Sequence, residues 1–335
     1  MANQHLGFLM LSSRFDIATG AQSVVDLNDI QNRARDRLIS DIATGRYIFE
    51  TLSCPICDGD QFTPLATRDR YGVPCRIVIC ETCSLVQTNP YLDQNSASIF
   101  YSEIFAPLHR GSTEPTEKKF QDRRKYGAGI ASWLMKNGVK PPARIVDVGC
   151  SSGGVLQGLT DAGFKGVGID IGADYVADAQ SRGLEAIVGT LDDLDSSQCP
   201  DVIAYCQSLE HFVPINQEIE RMSRAAGKGT LLYIEVPGLF QLFPTYHLDL
   251  MRYFQLAHIW HFSPYTLQRL FAKHGFVQVA GDGYIHALFR KSEKPVDMGP
   301  PPSVAQVIAK LRRTERLRAI YPVKLLRSAK RALRG

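Results

Sequence analysis

The sequence predicts an α/β protein: a mainly parallel β-sheet that ends in an antiparallel hairpin, plus a small separate module of paired cysteines. Between residues 120 and 292, short apolar runs alternate with stretches of helical periodicity. Strands that alternate with helices form a parallel sheet covered on both faces. The last two apolar runs are joined by Gly281-Asp282-Gly283, a turn typical of hairpins. Upstream, four cysteines form two Cys-x-x-Cys pairs.

Length and composition are those of a globular protein. The 335 residues, 44% hydrophobic and 21% charged, suffice for one large and one smaller domain. The first eleven residues lack the basic start of a signal peptide, and no apolar run approaches the roughly 20 residues of a membrane span. Eight cysteines are too few for a disulfide scaffold of this length. These features favour a cytoplasmic protein.

Charge is unevenly distributed along the chain. Ten of the 38 basic residues and one of the 34 acidic residues lie from Lys310 onward, so this tail carries +9 and the remainder −5. The chain accordingly divides into four segments. They are an N-terminal helical segment (1–50, with a helix from about Leu27 to Tyr47), the cysteine module (51–105), the α/β domain (120–292), and a proline hinge with a basic amphipathic tail (293–335).

Within the α/β domain, the apolar runs predict the order of the strands. The expected strands are 143–148, 166–170, 184–188, 201–206, 230–236, and the hairpin pair 276–280 and 285–290. Helices are expected from the glycine turn through Leu159, over Tyr175–Arg182 and over Pro264–His274.

A glycine-rich turn follows the first of these strands, in Asp147-Val-Gly149-Cys-Ser151-Ser-Gly153. Glycines there can adopt positive φ and let a ligand approach the backbone, and such sheets bind ligands beyond the carboxyl ends of their strands. Asp170 ends the second strand, where a carboxylate can accept both hydroxyls of a ribose. The glycine spacing does not fit a dinucleotide-binding loop. An ordinary structural turn is the alternative for the loop taken alone.

With these features, segment 144–290 resembles the class I methyltransferase (Rossmann-like) fold, whose first motif is commonly Asp-x-Gly-x-Gly-x-Gly. Ser151 stands in place of the middle glycine. The resemblance implies S-adenosylmethionine (SAM) as cofactor. It assigns cofactor binding to residues at three strand ends: Asp147, Gly149, Ser151 and Gly153 at the methionine end, Asp170 at the ribose, and Leu191 and Asp192 near the adenine.

The paired cysteines, Cys54-Pro-Ile-Cys57 and Cys80-Glu-Thr-Cys83, have the spacing of two metal-binding knuckles. Four thiolates complete a tetrahedral zinc site and leave no position open for chemistry, so the predicted Zn²⁺ is structural. Each pair is followed by a residue suited to the knuckle turn, Asp58-Gly59 and Ser84. The alternative is two redox-active or unrelated pairs.

The module also resembles the N-terminal zinc-binding domain of sugar C-methyltransferases, which act on nucleotide-linked deoxysugars. The matching features are both cysteine pairs, the Ser-Leu-Val after Cys83, Asn89-Pro90 and Tyr101. Two departures favour O-methylation of a sugar, nucleotide-linked or in a glycan, in polysaccharide or natural-product biosynthesis. The family's His-Glu-His run is reduced to Leu256-Ala257-His258, and only about 45 residues follow the α/β domain instead of a further domain.

A hydroxyl acceptor must lose a proton, and histidine is the natural base near neutral pH. His258, which the resemblance retains, is the first candidate, and His211 and His261 are the others. Each of them could instead be a packed or solvent-facing residue.

Two other functions remain as alternatives. An RNA methyltransferase with a structural zinc module would use a basic surface, but the basic residues concentrate in the tail, and no Asn-Pro-Pro-Tyr motif is present. A catalytically silent binding protein would not need Asp147, the glycines and Asp170 intact. The tail's apolar positions among lysines and arginines predict peripheral attachment to an anionic membrane. A solvated tail, a packed helix and RNA binding are its alternatives.

Overall fold

The computed structural model describes residues 10–112, 116–195, 199–243 and 245–320. Residue contacts divide the chain into two compact units. The first unit takes the described residues of Met1–Ser112, Gly238–Thr266 and Pro300–Gly335, and the second takes those of Thr113–Pro237 and Leu267–Gly299.

The α-helices of the described residues are α1 (Asp29–Ala43), α2 (Gln94–Ile99), α3 (Glu117–Lys136), α4 (Gly154–Asp161), α5 (Ala173–Ser181), α6 (Ile215–Ala225), α7 (Leu250–Tyr253), α8 (Pro264–Lys273) and α9 (Val304–Ile320). A π-helix, Phe100–Arg110, continues from α2. Short 3₁₀ helices span Ser13–Phe15, Ile17–Thr19, Leu191–Asp193 and Leu209–His211.

The strands are β1 (Phe49–Glu50), β2 (Phe62–Arg68), β3 (Pro74–Cys80), β4 (Val86–Thr88), β5 (Tyr91–Leu92), β6 (Arg144–Val148), β7 (Lys165–Asp170), β8 (Ala186–Val188), β9 (Val202–Cys206), β10 (Leu231–Glu235), β11 (Trp260–His261), β12 (Phe276–Gly281) and β13 (His286–Lys291). All seven strands predicted for the α/β domain are present within two residues of their expected bounds.

The second unit is built on one sheet of seven strands in the order β12-β13-β10-β9-β6-β7-β8. The five strands from β10 to β8 are parallel to their neighbours, whereas β13 is antiparallel to both β10 and β12. The mainly parallel sheet with its closing hairpin is therefore confirmed. The order places the carboxyl end of β6 at the centre of the five parallel strands, beside those of β7 and β9.

Helix α3, which the sequence analysis did not identify, covers one face of this sheet. Its residues Ile130 and Leu134 pack in the same core cluster as Ala204, Tyr233 and Leu288 from three strands. Two glycines allow α3 and α4 to approach closely. A Cβ on Gly127 would lie 2.3 Å from the Val155 carbonyl oxygen, and one on Gly158 would lie 2.3 Å from that of Arg124. Helix α6 was also missed, although Ile215, Ile219 and Met222 follow helical spacing.

The first unit contains a four-stranded antiparallel sheet in the order β11-β4-β3-β2. Strand β11 is far from the others in sequence, yet Trp260 pairs with Gln87 and His261 with Val86. The segment from Gly238 to Thr266 thus shares a sheet with the strands that carry Cys80 and flank Cys83.

Asp69 organises the turn between β2 and β3. Its carboxylate is buried and accepts hydrogen bonds from the backbone N–H groups of Tyr71 (2.8 Å), Val73 (3.0 Å) and Leu256 (3.1 Å). Burial raises the pKa of Asp69 to about 6, against the lowering effect of these donors. One carboxylate therefore joins the β2–β3 turn to the loop that precedes His258.

Two helices of the first unit correspond to predicted ones. The N-terminal helix was expected from about Leu27 to Tyr47; α1 is shorter and begins at a capping box formed by Asn28 and Gln31. Helix α9 corresponds to the first part of the predicted basic tail. Its residues Val307 and Leu311 are buried. The rest of the predicted tail, residues 321–335, lies outside the described residues.

Two ion pairs from Arg14 help to fasten α9 within the first unit. The guanidinium contacts Glu315 on α9 at 2.6 Å and Asp249 at 3.0 Å. No helix among the described residues is both long and apolar enough to cross a membrane.

Candidate functional site

The glycine turn between β6 and α4 has the backbone that the sequence predicts. Gly149 and Gly153 have φ of 79° and 77°, and Ser151, in place of the usual middle glycine, has φ of 50°. A Cβ on Gly149 would lie 2.8 Å from Cβ of Ser208, and one on Gly153 would lie 2.4 Å from Cδ1 of Leu184. Gly149 is thus required sterically, whereas at Gly153 the positive φ is what favours glycine. Ser151 adopts a left-handed conformation that costs an L-residue about 1–2 kcal/mol.

Asp170 ends β7 beside this turn, and its half-buried carboxylate is oriented by two backbone donors. Oδ2 accepts from the N–H of Ser151 and Oδ1 from that of Gly172, both at 2.8 Å. A carboxylate oxygen can accept a second hydrogen bond. The arrangement therefore presents two acceptor positions at a strand end, which suits the paired hydroxyls of a ribose.

Asp147 lies on β6, the middle one of the five parallel strands, and is only 1% exposed. Its Oδ1 has no hydrogen-bond partner within the described parts of the chain. Burial raises the pKa of Asp147 to about 6, although the charge of Arg123 lowers it. An unsatisfied buried carboxylate is costly unless a ligand completes it, and a cationic amine such as that of SAM fits this requirement.

Arg123 on α3 is a candidate site residue that the sequence analysis missed. Its Nη2 donates to the carbonyl of Cys206 at the end of β9, at 3.3 Å. Its Cβ lies 2.6 Å from the position that a Cβ on Gly154 would occupy. The side chain thus extends from the exit of the glycine turn to the end of β9, where a carboxylate ligand could meet a guanidinium. No motif marks it in the sequence.

The strand ends beyond Asp170 form a partly apolar surface. Ile171 is 78% exposed and Val188, the register partner of Asp170, is 53% exposed. Exposed apolar side chains beside the carboxylate that is expected to bind a ribose suit a flat base such as adenine. The sequence analysis missed both residues. The sequence signal that could have identified Ile171 is its position directly after Asp170, the last residue of the strand.

The two residues expected near the adenine lie in the 3₁₀ helix after β8. Leu191 is buried, and Thr190 caps the helix with its side chain. Asp192 is exposed and pairs with Arg221 at 3.0 Å and Arg224 at 2.8 Å, which lowers the pKa of its carboxyl. A ligand would share this carboxylate with two guanidinium groups.

The segment after β9 closes the central part of the site. Ser208 Oγ donates to the carbonyl of Val148 at 2.8 Å, beside the glycine turn. Glu210 and His211 follow in a 3₁₀ helix, with His211 Nε2 at 3.9 Å from Oε1 of Glu210. Glu210 is 1% exposed, and burial raises the pKa of its carboxyl to about 8. His211 is partly exposed.

The other two candidate bases, His258 and His261, belong to the first unit. The carbonyl of His258 accepts from Oγ1 of Thr88 at 2.7 Å, and its Nε2 contacts the Gln255 side chain. His261 on β11 is fully buried between Tyr253 and Phe254, with ring centroids 5.4 and 5.0 Å away. Burial lowers the pKa of His261 to about 3. A histidine so enclosed is a weak base.

The four paired cysteines converge on one point of the first unit. All four Sγ atoms lie within 4.8 Å of one another. The distances are 3.3 Å between Cys54 and Cys83 and 3.5 Å between Cys57 and Cys80. Tetrahedral zinc with Zn–S bonds of about 2.3 Å separates its sulfurs by about 3.8 Å, so the cluster has the size of such a site.

The backbone repeats the same turn at both cysteine pairs. Asp58 N–H donates to the Cys54 carbonyl at 2.9 Å, as Ser84 N–H does to the Cys80 carbonyl at 3.0 Å. Asp58 and Ser84 have φ of 58° and 63°, the left-handed conformation that small or polar residues tolerate. The expectation that these two positions suit knuckle turns agrees with this geometry.

The comparisons with known proteins agree with the fold of the second unit. Residues 120–280 match the model of a methyltransferase domain family. None of the curated proteins matches the sequence.

Among solved structures, magnesium protoporphyrin IX methyltransferase from Synechocystis PCC 6803 with bound SAH is 16% identical. The match covers 59% of this chain and 97% of that one, with a TM-score of 0.42. A SAM-dependent methyltransferase from Archaeoglobus fulgidus is 20% identical over 48% of this chain and 72% of that one, with a TM-score of 0.38.

The family match spans the same strands that carry the glycine turn, Asp147 and Asp170, and the sheet order with its reversed β13 is that of class I methyltransferases. Residues 120–280 therefore form a class I, Rossmann-like methyltransferase domain, and the chain is a SAM-dependent methyltransferase.

Proposed function

We propose that this methyltransferase O-methylates a sugar, either nucleotide-linked or within a glycan, in polysaccharide or natural-product biosynthesis. The observation that carries the proposal is the pairing of β11 with β4. It builds the segment of His258, the base candidate shared with the sugar C-methyltransferases, into the sheet that bears the cysteine module. The two features that suggested a sugar methyltransferase thus belong to one structural unit.

The second unit supplies the groups to hold SAM, which brings a sulfonium-bound methyl group. Asp170 would accept the ribose hydroxyls, and Ile171 would pack on the adenine beside Leu191 and Asp192. The unsatisfied oxygen of Asp147 would accept a hydrogen bond from the ammonium group of the methionine end of SAM. Arg123 would pair with the carboxylate of that methionine end. These roles follow from the burial and charge of each side chain.

We propose His258 as the base that takes the proton of the acceptor hydroxyl, with His211 as the second candidate. Gln255 contacts Nε2 of His258, and Thr88 fixes its backbone carbonyl, so the ring is held in a defined orientation. The pKa of about 3 that burial imposes on His261 argues against a role for it as base.

Zinc on Cys54, Cys57, Cys80 and Cys83 is proposed as a structural ion. With four protein ligands, no coordination position is left for substrate. The ion would join the knuckle between β1 and β2 to the knuckle at the end of β3, and so stabilise the sheet that includes β11.

The decisive experiment measures transfer of radiolabelled methyl from SAM to nucleotide sugars, isolated glycans and bulk RNA side by side. Label in a sugar fraction, as a base-stable ether, supports the proposal; label in RNA alone contradicts it and favours the RNA alternative.

With the active acceptor, His258→Ala should lower turnover by about 10²–10⁴-fold, the usual contribution of a general base. SAM affinity should change little. His274→Ala, at a partly buried histidine that is not a candidate base, is the control. Normal turnover in His258→Ala would move the assignment to His211.

A further inference from the structure

A polar cluster lies at the carboxyl end of β10, outside the groups assigned above to the cofactor or the acceptor. Its centre is Glu235, the last residue of the strand, which is 2% exposed. Oε1 of Glu235 accepts from Nε2 of Gln207 at 2.9 Å, and Oε2 accepts from the hydroxyl of Tyr233 at 3.4 Å. Buried carboxylates are retained where such bonds hold them.

His286, on β13, is the register partner of Glu235 and places one ring nitrogen toward each of two acids. Nε2 lies 3.7 Å from Glu235 and Nδ1 lies 2.9 Å from Asp282. Trp133 of α3 also lies against the ring, with centroids 5.8 Å apart, and Tyr233 contacts the other oxygen of Glu235. Burial lowers the pKa of His286. The bonds and charges of Glu235 and Asp282 outweigh this effect and raise the pKa to about 9. The imidazole is therefore a cation at neutral pH, and it compensates the charge of Glu235.

Glu235 also holds the first residue of the segment after β9. The backbone N–H of Gln207 donates to the Glu235 carbonyl at 2.8 Å, in addition to the bond between their side chains. Gln207 has φ of 62°, a conformation that a non-glycine residue keeps only when its surroundings impose it. Two bonds to one residue provide that constraint.

The next residue, Ser208, transmits this constraint to the glycine turn. Its hydroxyl bonds the carbonyl of Val148, and its Cβ lies against Gly149 so closely that glycine alone fits there. Glu210 and His211 follow directly in the same segment. The position of residues 207–211 against the cofactor turn thus depends on Glu235 and, through its charge, on His286.

We propose that Glu235 and His286 are positioning residues, which hold residues 207–211 against the glycine turn in the conformation that binds SAM. This role rests on the assignment of the turn as the SAM site, but not on the identity of the acceptor. Through this positioning role, the affinity for SAM depends on the charge of His286, which touches neither cofactor nor substrate.

The test measures SAM affinity by calorimetry from pH 7 to 10 for the full chain and three variants. His286→Gln should weaken SAM binding about tenfold at pH 7.5, because Glu235 then loses the cationic partner 3.7 Å away. The ratio of its Kd to that of the wild type should fall toward one as pH rises through about 9, because the wild type then loses the same charge. Because both proteins bind the same ligand, the ratio of their Kd values is unaffected by titration of the amine of SAM.

Asp282→Asn provides a variant that leaves the core intact, because Asp282 is exposed and asparagine can still accept from the Tyr284 N–H. It should shift the midpoint of the wild-type pH dependence below 9, since one of the two acids that stabilise the cation is lost. His274→Gln, a histidine of the same unit bonded to Asn216, is the control and should follow the wild type.

A ratio for His286→Gln that is one at every pH would overturn the proposal, and so would a midpoint that Asp282→Asn leaves unchanged. A constant loss of affinity at all pH values would also overturn it, since that marks a general structural defect. Because each outcome is scored on SAM binding, a failure to methylate sugars would contradict the proposed function alone.

Discussion

Acidic side chains lie at or just after the carboxyl ends of four parallel strands in the second unit, and their surroundings give them different properties. Asp170 accepts two backbone bonds and stays partly exposed. Asp147 and Glu210 are buried, which raises their pKa values to about 6 and about 8. Glu235 is buried against Gln207 and a cationic His286. Desolvation and partner charge, more than residue type, thus separate the carboxylate proposed to bind a ligand from a structural one.

Replacement of Asp170 tests the ribose assignment. Asp170→Ala should lower SAM affinity by at least about 100-fold, since it removes two charge-assisted hydrogen bonds of about 1.5–3 kcal/mol each. Calorimetric titration measures the change. Asp174→Ala, four residues on and exposed in the first turn of α5, is the matched control. Equal affinities for SAM in the two variants would show that Asp170 does not bind the cofactor.

Glu210 should make the stability of the second unit depend on pH. Because burial raises its pKa from 4.5 to about 8, the folded state favours the neutral form. Its contribution to the free energy of unfolding is fully present below pH 4.5 and is lost as pH rises through 8. Glu210→Gln cannot ionise at this position, so only the wild type loses stability as the pH rises. The unfolding free energy of the variant minus that of the wild type should therefore increase between pH 5.5 and 8.5, by an amount on the order of 3 kcal/mol.

Chemical denaturation at several pH values measures this difference. If the wild type and Glu210→Gln keep a constant difference in unfolding free energy from pH 5.5 to 8.5, Glu210 does not carry a raised pKa.

At the scale of elements, the two cysteine knuckles are matching turns whose four sulfurs meet at one point. Each is closed by the same pair of backbone bonds, yet the four sulfurs approach one another with no covalent link in the structure. Ser84, in the second knuckle, also donates to the carbonyl of Pro302 at 2.7 Å, just before α9. The knuckle thus contacts the start of the C-terminal helix as well as the β-sheet.

Zinc analysis tests the knuckles directly. We expect one zinc ion per chain in the purified protein and a substantial loss of it in Cys80→Ser. The melting temperature should also fall, by about 2–4 °C for each kcal/mol of stability lost. Cys199→Ser, at an exposed cysteine outside the cluster, should keep both the zinc content and the melting temperature. A wild-type protein free of zinc would refute the assignment.

At the scale of the whole chain, segments distant in sequence make up each unit. The first unit gathers the N-terminal part, residues 238–266 and α9. With Val307 and Leu311 buried in this unit, part of the apolar stripe of α9 is engaged by protein. Membrane attachment would therefore depend on the exposed charges of α9, such as Arg313 and Arg316, and on residues 321–335.

We propose that the basic tail attaches the protein peripherally to anionic membranes, such as the inner membrane face where lipid-linked glycans are assembled. Five lysines and arginines lie beyond Ile320, each contributing about 1 kcal/mol near such a surface. Full-length protein should sediment with anionic vesicles at low salt but not with neutral ones. A chain ending at Ile320, which keeps α9 packed, should sediment less. If neither form sediments, the proposed attachment is wrong.

The sequence by itself determined the features that depend on neighbouring residues. Alternating apolar runs predicted the seven strands of the second unit, and glycines at close spacing predicted a turn with positive φ. Cysteine pairs predicted the two knuckles. In each case the signal and the structure it specifies lie within about ten residues, so that periodicity and backbone freedom suffice.

Only the tertiary structure decided which distant residues meet. The pairing of β11 with β4 joins His261 to Val86 across 175 positions. Arg123 reaches the end of β9, and His286 lies beside Glu235, without a motif that marks either residue. Such contacts depend on strand register and on the packing of α3 over the sheet. These are set by the fit of the whole core, which local patterns in the sequence do not encode.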